Sequence, residues 1–219
     1  MKRKIGLIHA TLNAVLPMNE ALRRYMPGVE ILNFLDEGLI ADLNHKGKIT
    51  PPLLRRFIRL IEKAEEAGVD GALLTCSSFT PHVQLAGQLF EFPVISVDYA
   101  MLEEAVTRGN SIAVIATVVS AAPITMQILQ EIANEQGKEI DIYTTTITEA
   151  FAALQAGKEE EHNRLIREKI VEVSKQYELI VLAQISMSRA VEGFDLPGKT
   201  ILTSPESSIK SLMDHLEKS

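Results

Sequence analysis

The single cysteine of this 219-residue chain, Cys76, stands where an apolar run ends and hydroxyl side chains begin. The run Leu73–Ser78 is typical of the carboxyl end of a buried strand that leads into a loop or the start of a helix. In a parallel α/β sheet that edge binds ligands, and backbone N–H groups at a helix start lower the pKa of a thiol from about 8.5. We therefore interpret Cys76 as an acid/base or nucleophile, with Ser77 and Ser78 able to bind a carboxylate. A small buried hydrophobic residue is the alternative interpretation of Cys76.

Gln184 stands at the place that matches Cys76 in a second copy of the same pattern. Three pairs of apolar runs repeat at an almost constant offset of 107 or 108 residues: Ile5–Ile8 with Ile112–Ile115, Asp70–Ser78 with Glu178–Ser186, and Val94–Val97 with Ile201–Ser204. Chance similarity between apolar strands is the alternative, but three agreeing offsets favour an internal duplication. Gln184 and Ser186 would then hold a polar ligand from the second copy. A glutamine neither gives nor takes a proton near pH 7, and Ser186 could instead cap a helix.

Further polar side chains follow other strand-like runs. His9 and Asn13 come after the first run, and Thr117 comes directly after the fifth. If the runs form parallel strands, these residues lie at the same sheet edges as the thiol and the amide, where they would bind a substrate. His9 and His82 are candidate proton carriers, although a single histidine in a cleft more often only donates or accepts hydrogen bonds.

Strand-length apolar runs alternate with segments of helical period, which is typical of parallel sheets covered on both faces. The predicted strands are Ile5–Ala10, Val29–Phe34, Gly71–Thr75, Val94–Val97, Ile112–Ala116, Ile140–Thr144, Leu179–Ala183 and Thr200–Thr203. Four strands per half predict an α/β fold of two similar doubly wound lobes with mainly parallel sheets, related by a pseudo-twofold axis. The active-site cleft is expected between the lobes. We place the first lobe at residues 1–97 with 204–219 and the second at 98–203.

Several helices carry clear start and stop signals. Thr50 and Pro51 predict an N-cap and a first helical turn, and Gly68 predicts the end of that helix. Glu159–Glu161 predict the acidic first turn of a later helix, and Ser204–Glu206 predict the start of the last one.

The composition excludes several classes of partner. A net charge of −7 without a basic stripe argues against nucleic acid, and no apolar run reaches the roughly 20 residues of a membrane helix. One cysteine cannot form an internal disulfide and is typical of a reducing cytoplasm. Because metal-ligand spacing and phosphate-binding glycine loops are absent from the sequence, we predict neither a metal nor a cofactor. We expect a cytoplasmic protein that binds a small molecule, and apolar helix stripes would permit a homodimer.

With these features the chain resembles the aspartate/glutamate/hydantoin racemase superfamily, which also includes arylmalonate decarboxylase and maleate isomerase. The resemblance rests on the duplicated lobes, on Thr75–Ser78 after the third strand, on Ile112–Thr117 opening the second lobe, and on Leu182–Gln184 after its third strand. It implies chemistry without a cofactor, in which two cysteines, one from each lobe, act on opposite faces of the substrate's α-carbon. Hydroxyls and backbone amides hold the carboxylate as it becomes an enediolate.

The resemblance carries over to single positions of this chain. Cys76 matches the cysteine of the first lobe, and Ser77 and Ser78 match carboxylate-binding positions. Thr117 matches a hydroxyl after the first strand of the second lobe, whereas the second cysteine falls on Gln184. Three outcomes stay open: another residue or a water serves the second face, the chemistry is one-sided, or the protein binds its ligand without turning it over.

The sequence therefore predicts a cofactor-independent, racemase-like isomerase that acts at the α-carbon of a small carboxylate through Cys76. A decarboxylase or other lyase for malonate-type acids is one alternative. A non-catalytic protein that binds small carboxylates is the other.

Overall fold

Strands and helices alternate along residues 2–218, the part of the chain that this computed structural model describes. The chain divides into two units, one formed by Met1–Val97 together with Pro205–Ser219 and the other by Asp98–Ser204. Within the described residues, none of the helices combines the length and apolar composition needed to cross a membrane.

The first unit contains a parallel sheet with the strand order β2-β1-β3-β4. Its strands are β1 (Lys4–His9), β2 (Glu30–Leu35), β3 (Gly71–Leu74) and β4 (Val94–Ser96). The helices that accompany them are α1 (Val15–Tyr25), α2 (Gly38–Lys46), α3 (Pro51–Glu66), α4 (Thr80–Gly87) and the terminal α9 (Ser204–Lys218).

The second unit repeats this plan with the strand order β6-β5-β7-β8, again with every neighbouring pair parallel. Its strands are β5 (Ser111–Ala116), β6 (Asp141–Thr146), β7 (Leu179–Leu182) and β8 (Thr200–Thr203). Its helices are α5 (Tyr99–Arg108), α6 (Ala121–Glu135), α7 (Thr148–Gln155) and α8 (Glu159–Val173).

The strand register confirms the duplication predicted from the sequence. Ile8 pairs with Leu74 in the first sheet, and Ile115 pairs with Leu182 in the second. Each residue lies 107 or 108 positions from its counterpart, as the sequence offsets require. The α/β class, the doubly wound lobes and the parallel four-stranded sheets are confirmed for the described residues, while the cleft between the lobes stays a prediction.

Burial on both faces explains why the inner strands β1, β3, β5 and β7 are so uniformly apolar. In the second unit Val114 and Val181 pack in one core cluster with α5 and α6 residues, whereas Ile115 and Leu182 pack in another with α7 and α8 residues. Because neighbouring positions of a strand face opposite sides of the sheet, both sets have to be hydrophobic.

The sequence signals predicted the starts of α3 and α9 correctly, but the predicted N-cap residue of α3 makes no side-chain capping hydrogen bond. α3 begins at Pro51, and Gly68 follows its end with the positive φ of 70° that favours glycine. Thr50 occupies the N-cap, yet its hydroxyl is buried and has no hydrogen-bond partner among the described residues. The predicted N-cap therefore marks the start of α3 without capping it through its side chain. α9 begins at Ser204, as predicted.

Candidate active site

The carboxyl edge of the first sheet brings together the residues predicted to do chemistry in that unit. β1 and β3 are neighbours, so His9 at the end of β1 lies on the same edge as Cys76, which follows β3. Asn13 is half-buried in the short 3₁₀ helix that follows β1. Ser77 is half-buried and Ser78 is buried in the turn after Cys76. This arrangement follows from the topology, because parallel strands end at one edge.

Cys76 is held in extended backbone conformation by a turn rather than by a long helix. Its φ and ψ are −120° and 107°, and its carbonyl accepts the Phe79 N–H at 3.0 Å. A single 3₁₀ turn, Ser77–Phe79, follows, and α4 begins only at Thr80. The sequence predicted a loop or a helix start after this strand, and the structure has the 3₁₀ turn there, with α4 one turn later.

An aromatic pair anchors the turn that follows Cys76. Phe79 is fully buried, and its ring lies 5.0 Å from that of Phe57 on α3. Cys76 packs against the same core cluster but is itself only half-buried. Cys76 is therefore not sealed in the interior as a residue, and a reactive thiol needs such partial access.

His9 is fully buried, and both of its ring nitrogens contact protein groups. Nδ1 lies 2.8 Å from the Thr75 hydroxyl, and Nε2 lies 2.9 Å from the side-chain oxygen of Asn33. Asn33 in turn exchanges hydrogen bonds with Asn19 on α1, at 3.2 and 3.3 Å. This arrangement favours a supporting role for His9 over the predicted contact with substrate.

Burial lowers the pKa of His9 below its ordinary value of 6.5, and the hydrogen bond to Asn33 only partly opposes this. Just below pH 6.5 the unfolded chain therefore binds a proton at His9 that the folded chain does not bind. We expect the free energy of unfolding to fall as the pH drops through this window, down to the lowered pKa of the folded state.

Urea denaturation at a series of pH values from about 7.5 to about 5 measures this dependence. The slope against pH should be smaller in His9→Gln, because that variant has no imidazole to protonate. His45→Gln is the matched control, since His45 is exposed on α2 of the same unit. Equal slopes in wild type and His9→Gln would contradict the prediction.

In the second unit Gln184 is fixed by Thr117. The side-chain oxygen Oε1 of Gln184 accepts the backbone N–H of Thr117 at 2.5 Å and its hydroxyl at 3.1 Å. Two donors orient the amide, so its NH₂ group is the part left to serve a ligand. Thr117 is only 1% exposed, and its hydroxyl proton is committed to Gln184. Thr117 is thus better suited to hold Gln184 than to contact substrate.

Gln184 and Cys76 occupy the same topological position in their units. Each is the second residue after the third strand of its sheet, each has an extended backbone, and each precedes a 3₁₀ helix. The helix after Gln184, Ile185–Val191, includes the half-buried Ser186. It is tied to α8, because Arg167 Nε donates to the carbonyl of Ala190 at 2.6 Å.

Two residues of the hydrogen-bond network around His9, Asn19 and Asn33, were not functional candidates in the sequence, and Thr75 was one only as part of the run Thr75–Ser78. The available signal for Thr75 was a hydroxyl at the end of an otherwise apolar strand. Asn33 lies on the edge strand β2, where polar residues are common, and Asn19 lies within α1. Their partnership with His9 depends on tertiary contacts that a single sequence does not contain. Within residues 2–218, no group of three or more His, Cys, Asp or Glu side chains is placed to hold a metal ion.

Comparison with known proteins adds a family assignment to this geometry. A model of the Asp/Glu/hydantoin racemase family matches residues 39–197. No curated protein sequence matches the chain significantly.

Solved structures agree with the family match at the level of the fold. An aspartate racemase homologue from Pyrococcus horikoshii OT3 superposes with a TM-score of 0.72 at 16% identity, covering 99% of this chain and 100% of that one. The aspartate racemase of Picrophilus torridus gives 0.73 at 11% identity, with 98% and 94% coverage. The allantoin racemase of Klebsiella pneumoniae gives 0.69 at 16% identity, with 99% and 89% coverage. At such identities the similarity shows a shared fold.

Proposed function

Because this chain belongs to the Asp/Glu/hydantoin racemase family, we propose that it is a cofactor-independent enzyme that moves a proton at the α-carbon of a small carboxylate. The observation that carries the proposal is the position of Cys76. It is the only thiol of the chain, it is half-buried, and it lies at the ligand-binding edge of a parallel sheet beside two serines. A thiol is a suitable acid/base for a carbon acid, because its pKa lies close to neutral pH.

In the proposed reaction the Cys76 thiolate removes the α-proton. The electron pair of the broken C–H bond moves onto the carboxylate, which becomes an enediolate, and the sulfur is left as a thiol. Hydrogen-bond donors aimed at the enediolate oxygens stabilise this charge. We assign this task to Ser77, Ser78 and the NH₂ group of Gln184, with Asn13 and Ser186 as further polar contacts to the substrate. The thiol then returns a proton to the α-carbon.

The amide at position 184 determines the expected stereochemistry. A primary amide neither gives nor takes a proton near neutral pH, so Gln184 does not serve as the second acid/base of a two-thiol racemase. Return of the proton by Cys76 alone gives exchange with retention of configuration. Inversion requires a proton from the opposite face, for which water is the simplest donor. We therefore expect α-proton exchange to be faster than racemisation.

A decarboxylase for malonate-type acids is the second candidate, and the same observation favours it. When carbon dioxide leaves, the electron pair of the broken C–C bond forms an enediolate on the remaining carboxylate. That intermediate needs one proton on its carbon, and a single thiol such as Cys76 supplies it from one face. Decarboxylation therefore needs only one group that supplies a proton, whereas racemisation needs a proton donor or acceptor on each face of the α-carbon.

Incubation in D₂O with a panel of amino acids, dicarboxylic acids, hydantoins and arylmalonates tests the proposal. Proton NMR follows loss of the α-proton signal, chiral chromatography follows inversion, and carbon dioxide release reports decarboxylation. Exchange without inversion or with slow inversion is the expected result, while carbon dioxide release would select the second candidate. Binding of a panel member by calorimetry with no exchange or conversion would instead support a non-catalytic carboxylate-binding protein.

A further inference from the structure

Two alanines occupy, in the second unit, the places that His9 and Thr75 hold in the first. The register that pairs Ile8 with Leu74 pairs Ile115 with Leu182. The residues that follow these pairs are His9 and Thr75 in one sheet, and Ala116 and Ala183 in the other. All four are buried, so the two edges differ in chemistry and not in exposure.

The same backbone hydrogen bond joins the two neighbouring strand ends in both units. The Thr75 N–H donates to the Ile8 carbonyl at 3.0 Å, and the Ala183 N–H donates to the Ile115 carbonyl at 2.9 Å. The fold therefore joins these strand ends without a polar side-chain pair, as the second unit demonstrates. A buried imidazole costs desolvation that alanine does not, so its presence beside Cys76 calls for a separate reason.

The hydrogen-bond network determines which nitrogen of His9 carries the proton. Asn19 Nδ2 donates to the Val15 carbonyl at 2.8 Å, which fixes the orientation of that amide. Its Oδ1 then accepts Asn33 Nδ2 at 3.3 Å, which fixes Asn33 with its Oδ1 toward His9 Nε2. An oxygen at this place requires a hydrogen on Nε2.

With the hydrogen on Nε2, Nδ1 of the neutral ring is an acceptor. The Thr75 hydroxyl has one proton and two acceptors in reach: His9 Nδ1 at 2.8 Å and the Ile8 carbonyl at 3.1 Å. The shorter contact goes to the imidazole, and the Ile8 carbonyl already accepts the Thr75 N–H. The side chain directly before Cys76 is thus tied to β1, β2 and α1 through one ring.

We propose that His9 is a positioning residue, whose neutral imidazole holds Thr75 and thereby the backbone of Cys76 in the conformation needed for proton transfer. The inference rests on the proposed function, since the residue it positions is the proposed acid/base. His9 and Thr75 do not touch the substrate in this arrangement. They act through the strand end that carries the sulfur.

Removal of the Thr75 hydroxyl tests this role. Thr75→Val keeps the shape of the side chain and should lower kcat for α-proton exchange about 10- to 100-fold, because small displacements of a reacting group are costly, while KM stays within about threefold. Thr75→Ser restores a hydroxyl and should recover most of the rate. The double variant His9→Ala/Thr75→Ala copies the pair of the second unit and should match Thr75→Val. His45→Gln is the control and should equal wild type.

Two readouts are independent of turnover. Iodoacetamide modifies only Cys76, the sole cysteine. The rate constant of this alkylation should fall at least about threefold in Thr75→Val and recover in Thr75→Ser, because a displaced Cys76 loses its place before the backbone N–H groups of the following turn, which favour the thiolate. Nitrogen-15 NMR of the imidazole of His9 should show the neutral ring with hydrogen on Nε2 near pH 7.5.

A hydrogen on Nδ1, or wild-type alkylation in Thr75→Val, would overturn the positioning role. Wild-type kcat in Thr75→Val would overturn it as well. If the substrate panel gives no exchange at all, the proposed function fails separately, and alkylation and NMR still decide the role of His9.

Discussion

Cys76→Ser is expected to lower the rate of α-proton exchange by about 10²- to 10⁴-fold, the usual contribution of a positioned acid or base. Serine preserves the size of the side chain and a hydrogen-bonding group at the same place. Its hydroxyl is far less acidic than a thiol, so almost no alkoxide is present to remove a proton near neutral pH. The measurement is the initial rate in D₂O with the fastest substrate of the panel.

Because the chain has one cysteine, chemical modification supplies an independent control. Iodoacetamide should inactivate the wild-type protein with a rate that a saturating substrate slows, and it should leave Cys76→Ser unmodified. Circular dichroism of the variant should match that of wild type, since serine is close in size to cysteine and Cys76 packs against the core cluster only as a half-buried residue. Retention of more than about a tenth of the exchange rate in Cys76→Ser would remove this residue from the mechanism.

Much of this fold could be predicted because the inner strands of its two sheets are covered on both faces. β7 is fully buried along Leu179–Leu182, and a strand in such surroundings has to be apolar at every position. The end of each inner strand could therefore be predicted in the sequence as the point where polar residues begin. Cys76 and Gln184 became candidate site residues because they stand at two such points. The equivalence of the two positions followed from the offset of 108 residues and agrees with the strand register.

Other features depend on tertiary contacts and could not be predicted in this way. α7 has no side-chain capping hydrogen bond, and it buries Ala150 and Ala153 in packing that the local sequence does not specify. His9 was predicted from its place at a strand end, but its hydrogen bond to Asn33 on a neighbouring strand could not be predicted in that way. The same holds for Thr117, whose hydroxyl is directed to Gln184 by the fold. Hydrophobic periodicity predicts strands and helices, but it does not predict which polar residues, distant in the sequence, come into contact.

Gln184→Ala is expected to lower kcat/KM by about 10²- to 10³-fold, the usual cost of removing one donor from a developing oxyanion. Thr117 holds the amide oxygen with two hydrogen bonds, so the NH₂ group is already oriented before a substrate binds. A pre-oriented donor stabilises the enediolate without reorganisation, which is why its loss should be costly. The measurement is the exchange rate across a range of substrate concentrations.

Gln184→Glu is the matched variant, because it keeps an oxygen for Thr117 and replaces only the NH₂ group. Its negative charge should repel a carboxylate substrate, so its defect should appear mainly in KM, whereas that of Gln184→Ala should appear mainly in kcat. Thr117→Val leaves the backbone donor at 2.5 Å in place and should cost at most about tenfold. If Gln184→Ala exchanged protons at the wild-type rate while Cys76→Ser did not, the amide and the thiol would not act on one substrate. The hydrogen-bond donors that stabilise the enediolate in the proposed one-sided reaction would then have to come from the first unit alone.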